Sequence, residues 1–310
     1  MAWALHHRRR RERVTQANEI SLIVHTRDSA LTLPRLLATT AWASERIVID
    51  MQSGDATIEI ARAAGCRVLS CAIVDAVDAI RNQYLPQAQN DWVLVLDSDE
   101  YLADDAYEAL QGLVRDYSDN TDAFALPRFN SVAGHVMRGS GFYPDHQIRF
   151  FRKGTVAWQP GHHRVPQVLT GAKRLRRLEA PNCLHIHHEN YVDIASFIAR
   201  QARYALSDSY DPNPDNFDFG TYVAEAYAEF ERRHEPANDG ELSTAVATVL
   251  AWDRIMRGLI HWERLGRQQP LNPAFSLPIV PTAQKHQGRL RHQPREIGRR
   301  LRRFFQRQRR

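Results

Sequence analysis

An uninterrupted apolar run, Trp92-Val93-Leu94-Val95-Leu96, follows Asp91 and stops on Asp97, Asp99 and Glu100, with Ser98 between the first two acids. Five apolar residues without alternation predict a strand buried on both faces, as in a parallel sheet. The same pattern recurs upstream. Ile20 to Val24 reads as a short strand leading into His25-Thr26-Arg27-Asp28, Arg46 to Asp50 (RIVID) as a second strand ending on an acid, and Cys66 to Leu69 as a third. Between them lie helical patterns. Leu33 to Ala43 puts Leu33, Leu36, Leu37 and Thr40 on one face. Ile58 to Ala64 is stopped by Gly65 in the usual C′ place, and Asp78 to Gln87 carries Arg81 and Asn82. Asp104-Asp105 reads as the cap of the next helix. Strand and helix alternating at short spacing predict an α/β fold built of βαβ units, a mostly parallel sheet flanked by helices.

After about residue 122 the pattern changes. Ala123–Phe129, Gln147–Phe151 and Val156–Trp158 read as strands joined by glycine-containing turns. Helical periodicity returns at Val192–Leu206, then at Thr221–His234 and Leu242–Leu265 after a linker with two prolines at 211–218. The aromatics of these helices, Tyr222, Tyr227, Phe230, Trp252 and Trp262, have the spacing of packing residues. The expected organisation is a basic leader at 1–17, an α/β domain at 18–206, a helical extension at 207–284 and a basic tail at 285–310.

Charge sharpens this division. The net charge is +5, but residues 1–13 carry five Arg and one Glu, and residues 285–310 carry eleven Lys or Arg and one Glu. With those ends set aside, the body holds 25 basic and 34 acidic residues, a net charge of −9. An acidic body argues against nucleic acid as a partner. In the tail, Ile297, Leu301, Phe304 and Phe305 recur at i, i+4, i+7 and i+8 among arginines. That is the pattern of an interfacial amphipathic helix, and it predicts attachment to an anionic membrane surface. No apolar stretch approaches the roughly 18 residues needed to span a bilayer, and the N-terminus lacks the charged-then-apolar order of a signal peptide. Three cysteines, Cys66, Cys71 and Cys183, form no CxxC pair. They suggest neither a disulfide framework nor a cysteine zinc site, and point to a reducing, cytoplasmic setting at the inner face of a membrane.

The chemistry concentrates at the end of the Trp92–Leu96 strand. Ligands of open α/β sheets bind outside the carboxyl ends of the strands. Asp97 and Asp99 would arrive there side by side and repel unless a cation sat between them. A divalent ion that also grips a diphosphate accounts for both carboxylates. The run Leu184-His185-Ile186-His187-His188 offers a further ligand. Alternation puts His185 and His187 on one face of a strand, either as metal ligands or as a hydrogen-bonded strand edge.

The runs ISLIVHTRDSA, RIVIDMQSGDATIEIARAAGCRV, Ala79-Ile80-Arg81-Asn82 and DWVLVLDSDE occur in an order that resembles family 2 glycosyltransferases of the GT-A (Rossmann-like) fold. The later segments GFYPDHQIRFFRKGTVAWQPGHHRV and LHIHHENYVDIASFIARQARYA resemble the lipopolysaccharide-core glucosyltransferase-like branch, so the likeness spans about residues 18–206. It implies a nucleotide-sugar donor, commonly UDP-linked, Mn²⁺ or Mg²⁺, inverting transfer, and a lipid-linked or envelope glycan as acceptor. A non-catalytic sugar-nucleotide-binding protein and a peptide glycosyltransferase are the rival readings.

By the same likeness, Thr26, Arg27 and Asp28 lie by the nucleotide base, and Asp28 stands where the group usually has Asn. Asp50 reads the base or ribose. Asp55 and Thr57 match the following loop, although Met51 and Gln52 replace small residues. Arg81 faces the donor phosphates. Asp97 and Asp99 are the metal-binding acids, with His187 as the late histidine ligand. Where the group has His-Glu this chain has His163-Arg164. The acceptor's general base is therefore open among Asp145, His163 and Glu100.

Overall fold

The computed structural model describes residues 19–74, 77–159, 165–207, 210, 213 and 216–266. The leader, the His162-His163-Arg164 segment and the basic tail lie outside the described residues. The strands are β1 (Ile20–Thr26), β2 (Glu45–Asp50), β3 (Arg67–Ser70), β4 (Trp92–Asp97), β5 (Glu100–Leu102), β6 (Ala123–Val132), β7 (His135–Val136), β8 (Asp145–Arg152), β9 (Val156–Ala157), β10 (Gln167–Val168), β11 (Leu175–Arg177) and β12 (Ile186–Tyr191). The helices are α1 (Leu33–Thr39), α2 (Thr57–Ala63), α3 (Asp78–Tyr84), α4 (Ala106–Tyr117), α5 (Ile194–Leu206), α6 (Phe219–Arg233) and α7 (Pro236–Arg264).

The main sheet runs β3-β2-β1-β4-β8-β6-β12-β5. β1, β2, β3 and β4 are parallel. β8 pairs antiparallel with both β4 and β6, after which β12 and β11 again run parallel to β6. The expected mainly parallel α/β sheet with C-terminal helices is therefore present. The Trp92–Leu96 run is buried on both faces. Leu94 and Leu96 pack with Leu22, Val24, Leu33 and Leu36 towards α1, α2 and α4, while Val93 and Val95 pack with Ile23, Ile47 and Ile49 on the opposite face. Burying β4's five apolar side chains contributes on the order of 10 kcal/mol before chain entropy is counted.

Two boundaries differ from the sequence expectation for visible reasons. α1 ends at Thr39 rather than running to Ala43, because the Thr39 and Thr40 hydroxyls both bond to the Leu36 carbonyl and draw the chain out of the helix. The last helix begins at Pro236 and is broken at Gly240, whose φ of 59° lies in the left-handed region. The break seats the buried Asp239 carboxylate on the loop after β7. It accepts the Arg138 and Gly139 backbone N–H groups at 2.7 and 3.0 Å and the Ser140 hydroxyl at 3.1 Å. A third apolar cluster, Val132, Met137, Tyr191, Phe197 and Val246, joins α5 and α7 to β6 and β12. The C-terminal helices thus belong to the same compact unit as the sheet. Asp105 occupies the N-cap position of α4, but its side chain makes no capping bond.

Candidate active site

β4 delivers Asp97 to the sheet's carboxyl edge, and a tight turn returns the chain into β5 at Glu100. The turn is fixed from two sides. Glu100 Oε2 accepts the Asp97 backbone N–H at 2.9 Å, and the Ser98 and Ser29 hydroxyls are 2.8 Å apart. Asp97 is gripped by two guanidiniums, Arg81 from α3 and Arg149 from β8. Arg81 also reaches Asp78 Oδ1 at 3.0 Å. Glu100 Oε1 accepts Arg149 at 3.1 Å and Arg128 at 2.8 Å, and Arg128 in turn binds Asp145 Oδ2 at 2.6 Å. Burial alone would raise the Asp97 carboxyl, but Arg149 and Arg81 hold it well below the usual range.

Asp99 has a different environment. Its Oδ2 faces His188 Nε2 at 3.4 Å. Burial pushes this carboxyl up, and His188, with a smaller contribution from Arg200, outweighs burial and leaves it below its ordinary value. The tautomer of His188 follows from its other nitrogen. Asn130 donates its amide N–H groups to the Phe142 carbonyl at 2.8 Å and to Asp145 Oδ2 at 3.1 Å, so its Oδ1 accepts from His188 Nδ1 at 2.7 Å. In the neutral ring the Nε2 lone pair then points towards a carboxylate oxygen. A proton on Nε2 would make this ring a donor to Asp99, and with Nε2 unprotonated the two acceptors would share a cation. Among the described residues no group of three or more His, Cys, Asp or Glu is arranged to hold a metal. Asp99 and His188 would supply two ligands, and magnesium-like ions complete such sets with water and phosphate oxygens.

These groups open on a cleft of about 430 Å³ lined by Arg81, Asp97, Asp99, Arg128, Arg149 and His188, among others. The sequence-derived candidates divide accordingly. Arg81, Asp97 and Asp99 meet in the cleft. The histidine facing the acids is His188, not the expected His187, because β12 turns His187 to its other face, where it stacks on Tyr101 with centroids 4.9 Å apart. Glu100 is 1% exposed and committed to two arginines, an arrangement that disfavours it as a general base. Asp145 accepts from Arg128, Asn130 and Gln147, which outweigh its burial and lower its pKa. It is a weak base, and it anchors the Asn130–His188 chain instead. His163 lies outside the described residues.

Thr26, Arg27, Asp28 and Asp50 lie at the ends of β1 and β2 and do not line this cleft. Their loops are clasped together. Asp28, at φ 48°, accepts the Gly54 N–H at 2.7 Å and donates its own N–H to Ser53 at 2.9 Å. Asp50 accepts the Ser53 N–H at 3.2 Å, and Asp55 accepts the Ala30 and Thr57 N–H groups at 3.0 Å. Thr26 is buried, and Arg27 sits beside Asp28 at 3.6 Å. His25, next along β1, is buried with both ring nitrogens unpartnered among the described residues. Burial first, then Arg81, holds its pKa well below the ordinary value.

Arg128, Asn130, Arg149, His188 and Arg200 were not anticipated from the sequence as site residues. Arg128 and Arg149 carried a signal, charges set within predicted strands, and His188 lay in the histidine run.

A TPR repeat-containing protein of Synechococcus elongatus is 39% identical over 121 residues, which cover 38% of this chain and 29% of that protein. The chain thus spans less than a third of that relative's length. Among solved structures, Staphylococcus aureus TarS (residues 1–349) in complex with UDP-GlcNAc aligns over 80% of this chain and 92% of its own at 15% identity and a TM-score of 0.43. Glucosyl-3-phosphoglycerate synthase from Mycobacterium tuberculosis, in complex with Mn²⁺, UDP and glucosyl-3-phosphoglycerate, aligns over 37% and 44% at 20% identity and a TM-score of 0.30. The profile of glycosyl transferase family 2 matches residues 18–174, just over half of the chain and the stretch that holds β1 through β10 with the Asp97–Asp99 turn, so the chain belongs to glycosyl transferase family 2.

Proposed function

We propose that this family 2 glycosyltransferase transfers a sugar from a UDP-linked donor to a lipid-linked or envelope glycan acceptor, with inversion and with Mn²⁺ or Mg²⁺. The observation that carries the reading is the Asp99–His188 pair facing across the cleft beside the arginine-bound Asp97. The ion would sit at Asp99 and His188 and, as a Lewis acid, offset the charge that develops on the departing diphosphate. The clasped loops after β1 and β2 would hold the nucleoside, and Arg81 and Arg149 keep Asp97 ionised and fixed in place. The acceptor hydroxyl attacks the anomeric carbon as the bond to the diphosphate oxygen breaks, and its proton passes to a base. His163 is the remaining candidate, since Glu100 and Asp145 are held by arginines.

Asp99→Ala is expected to abolish Mn²⁺-dependent UDP binding in calorimetry while leaving the melting temperature near wild type. Unchanged binding would overturn the metal assignment. A sugar-nucleotide-binding protein without transfer is the second reading, favoured by Arg164 at the family's Glu position and by the two engaged carboxylates. Donor hydrolysis separates the two readings.

The lipopolysaccharide-core branch and a place at the inner membrane face are parts of the same proposal. They rest on residues 141–206 and on the basic tail. No described helix is long and apolar enough to cross a membrane. Deleting residues 285–310 is expected to release the protein from anionic vesicles without altering UDP affinity. Equal sedimentation of full-length and truncated chains would refute the anchor.

A further inference from the structure

Four guanidiniums line the cleft, and one stands apart. Arg81, Arg128 and Arg149 each reach a carboxylate oxygen within 3.1 Å. Arg200 donates from Nη1 to the neutral amide oxygen of Asn190 at 2.8 Å and lies over the Tyr191 ring, 4.7 Å from its centroid. Among the described residues no carboxylate comes within ion-pairing distance of it. Among the described residues one of its five guanidinium N–H groups meets a protein acceptor, so most of the donor fork is open to the cleft and solvent. A guanidinium on a cleft wall with donors free of protein partners can receive an anionic group of a ligand.

α5 holds Arg200 in that position. A capping box fixes the first turn, with Asp193 accepting the Ser196 N–H at 2.6 Å and Ser196 accepting the Asp193 N–H at 3.3 Å. Phe197, Gln201 and Ala205 bury the opposite face, and Gln201 bonds the Tyr191 hydroxyl at 3.1 Å. Arg200 and Tyr204, one turn apart, then share the face that lines the cleft.

Sheet order decides which part of a ligand this wall meets. The nucleoside loops end β1 and β2, and the Asp97–Asp99 turn ends β4. β8, β6 and β12 follow, and α5 leaves the end of β12. Arg200 lines the cleft beside Asp99 and His188, whereas the nucleoside loops after β1 and β2 do not line it. We infer that Arg200 is a specificity residue that receives an anionic group of the acceptor, a phosphate or a carboxylate, close to the hydroxyl that is glycosylated. This rests on the donor placement proposed above. A planar fork suits either anion through paired hydrogen bonds, which a lysine could not reproduce.

Inorganic phosphate is the probe. The full-length protein saturated with UDP and Mg²⁺, so that the diphosphate position is filled, is titrated with phosphate at constant ionic strength in a calorimeter. Wild type should bind phosphate saturably. Arg200→Gln should weaken that binding about tenfold or more, the worth of one charge-assisted hydrogen bond. Arg200→Lys should fall between the two and carries the test if the Gln variant unfolds. UDP affinity is measured for each variant, and phosphate binding is compared at saturating UDP in all three. Absence of saturable phosphate binding in wild type, or equal binding by the Gln variant, would overturn the inference. Phosphate that competes with UDP would move Arg200 to the donor diphosphate and also overturn the acceptor assignment. If UDP itself does not bind, the donor reading fails, and titration of the UDP-free protein still decides whether Arg200 holds an anion.

Discussion

Asn130 touches no expected ligand, yet the site depends on it. The residue is 2% exposed on β6 and makes three hydrogen bonds, to the Phe142 carbonyl, to Asp145 and to His188 Nδ1. Asn130→Leu keeps the volume and removes all three. Asp145 retains Arg128 and Gln147, so two groups are left unmet, the partly buried Phe142 carbonyl and the buried His188 ring N–H. At about 1–3 kcal/mol for each unsatisfied group, urea denaturation should show a loss of roughly 2–6 kcal/mol. The second effect is specific to the site. Without its anchor the His188 ring no longer presents Nε2 to Asp99, and removal of such supporting partners lowers metal affinity about 10- to 100-fold. Mn²⁺ binding, followed by paramagnetic resonance on the folded variant with UDP present, measures this directly. A stability loss with unchanged Mn²⁺ affinity would refute the reasoning, because the chain from Asp145 through Asn130 to His188 would then only pack strands together.

Two further outcomes follow from packing and charge. Asp122 receives Arg174 through two hydrogen bonds, at 2.8 and 2.7 Å, which lower its carboxyl to about 2. A depressed carboxyl stabilises the fold above its unfolded value near pH 3.9 and loses that contribution as the pH falls towards 2. Asp122→Asn should therefore cost about 1–2 kcal/mol at pH 7, with the difference from wild type shrinking across that acid window, since the partly exposed Arg174 is screened by solvent. Equal losses at pH 7 and pH 2 in denaturant titrations would contradict the assignment. Gly258 lets α6 approach α7, because a methyl there would sit 2.8 Å from Tyr222 Cγ and 3.0 Å from Phe219 Cε2. Gly258→Ala should lower stability by about 1–3 kcal/mol, and an unchanged melting temperature would mean that the helices do not meet as described.

What could be read along the chain, and what could not, follows from the range of the interactions. β4 and its acids were legible because the apolar run and the Asp97-Ser98-Asp99-Glu100 turn are contiguous, and the rule placing ligands at strand ends needs only local order. The same contiguity misled over Glu100. A carboxylate beside two others reads as a reactive group until β6 and β8 bring Arg128 and Arg149 against it, and those partners lie 28 and 49 residues away. His187 and His188 show a finer limit. Alternation along β12 requires that adjacent histidines face opposite ways, but it does not say which face opens on the cleft. The pairing with β5 decides that. His187 lies opposite Tyr101 and His188 opposite Glu100, at the start of the strand that follows Asp99. Local pattern therefore located the carboxylates, whereas long-range strand pairing determined which of them are occupied by arginines and which histidine faces the remaining one.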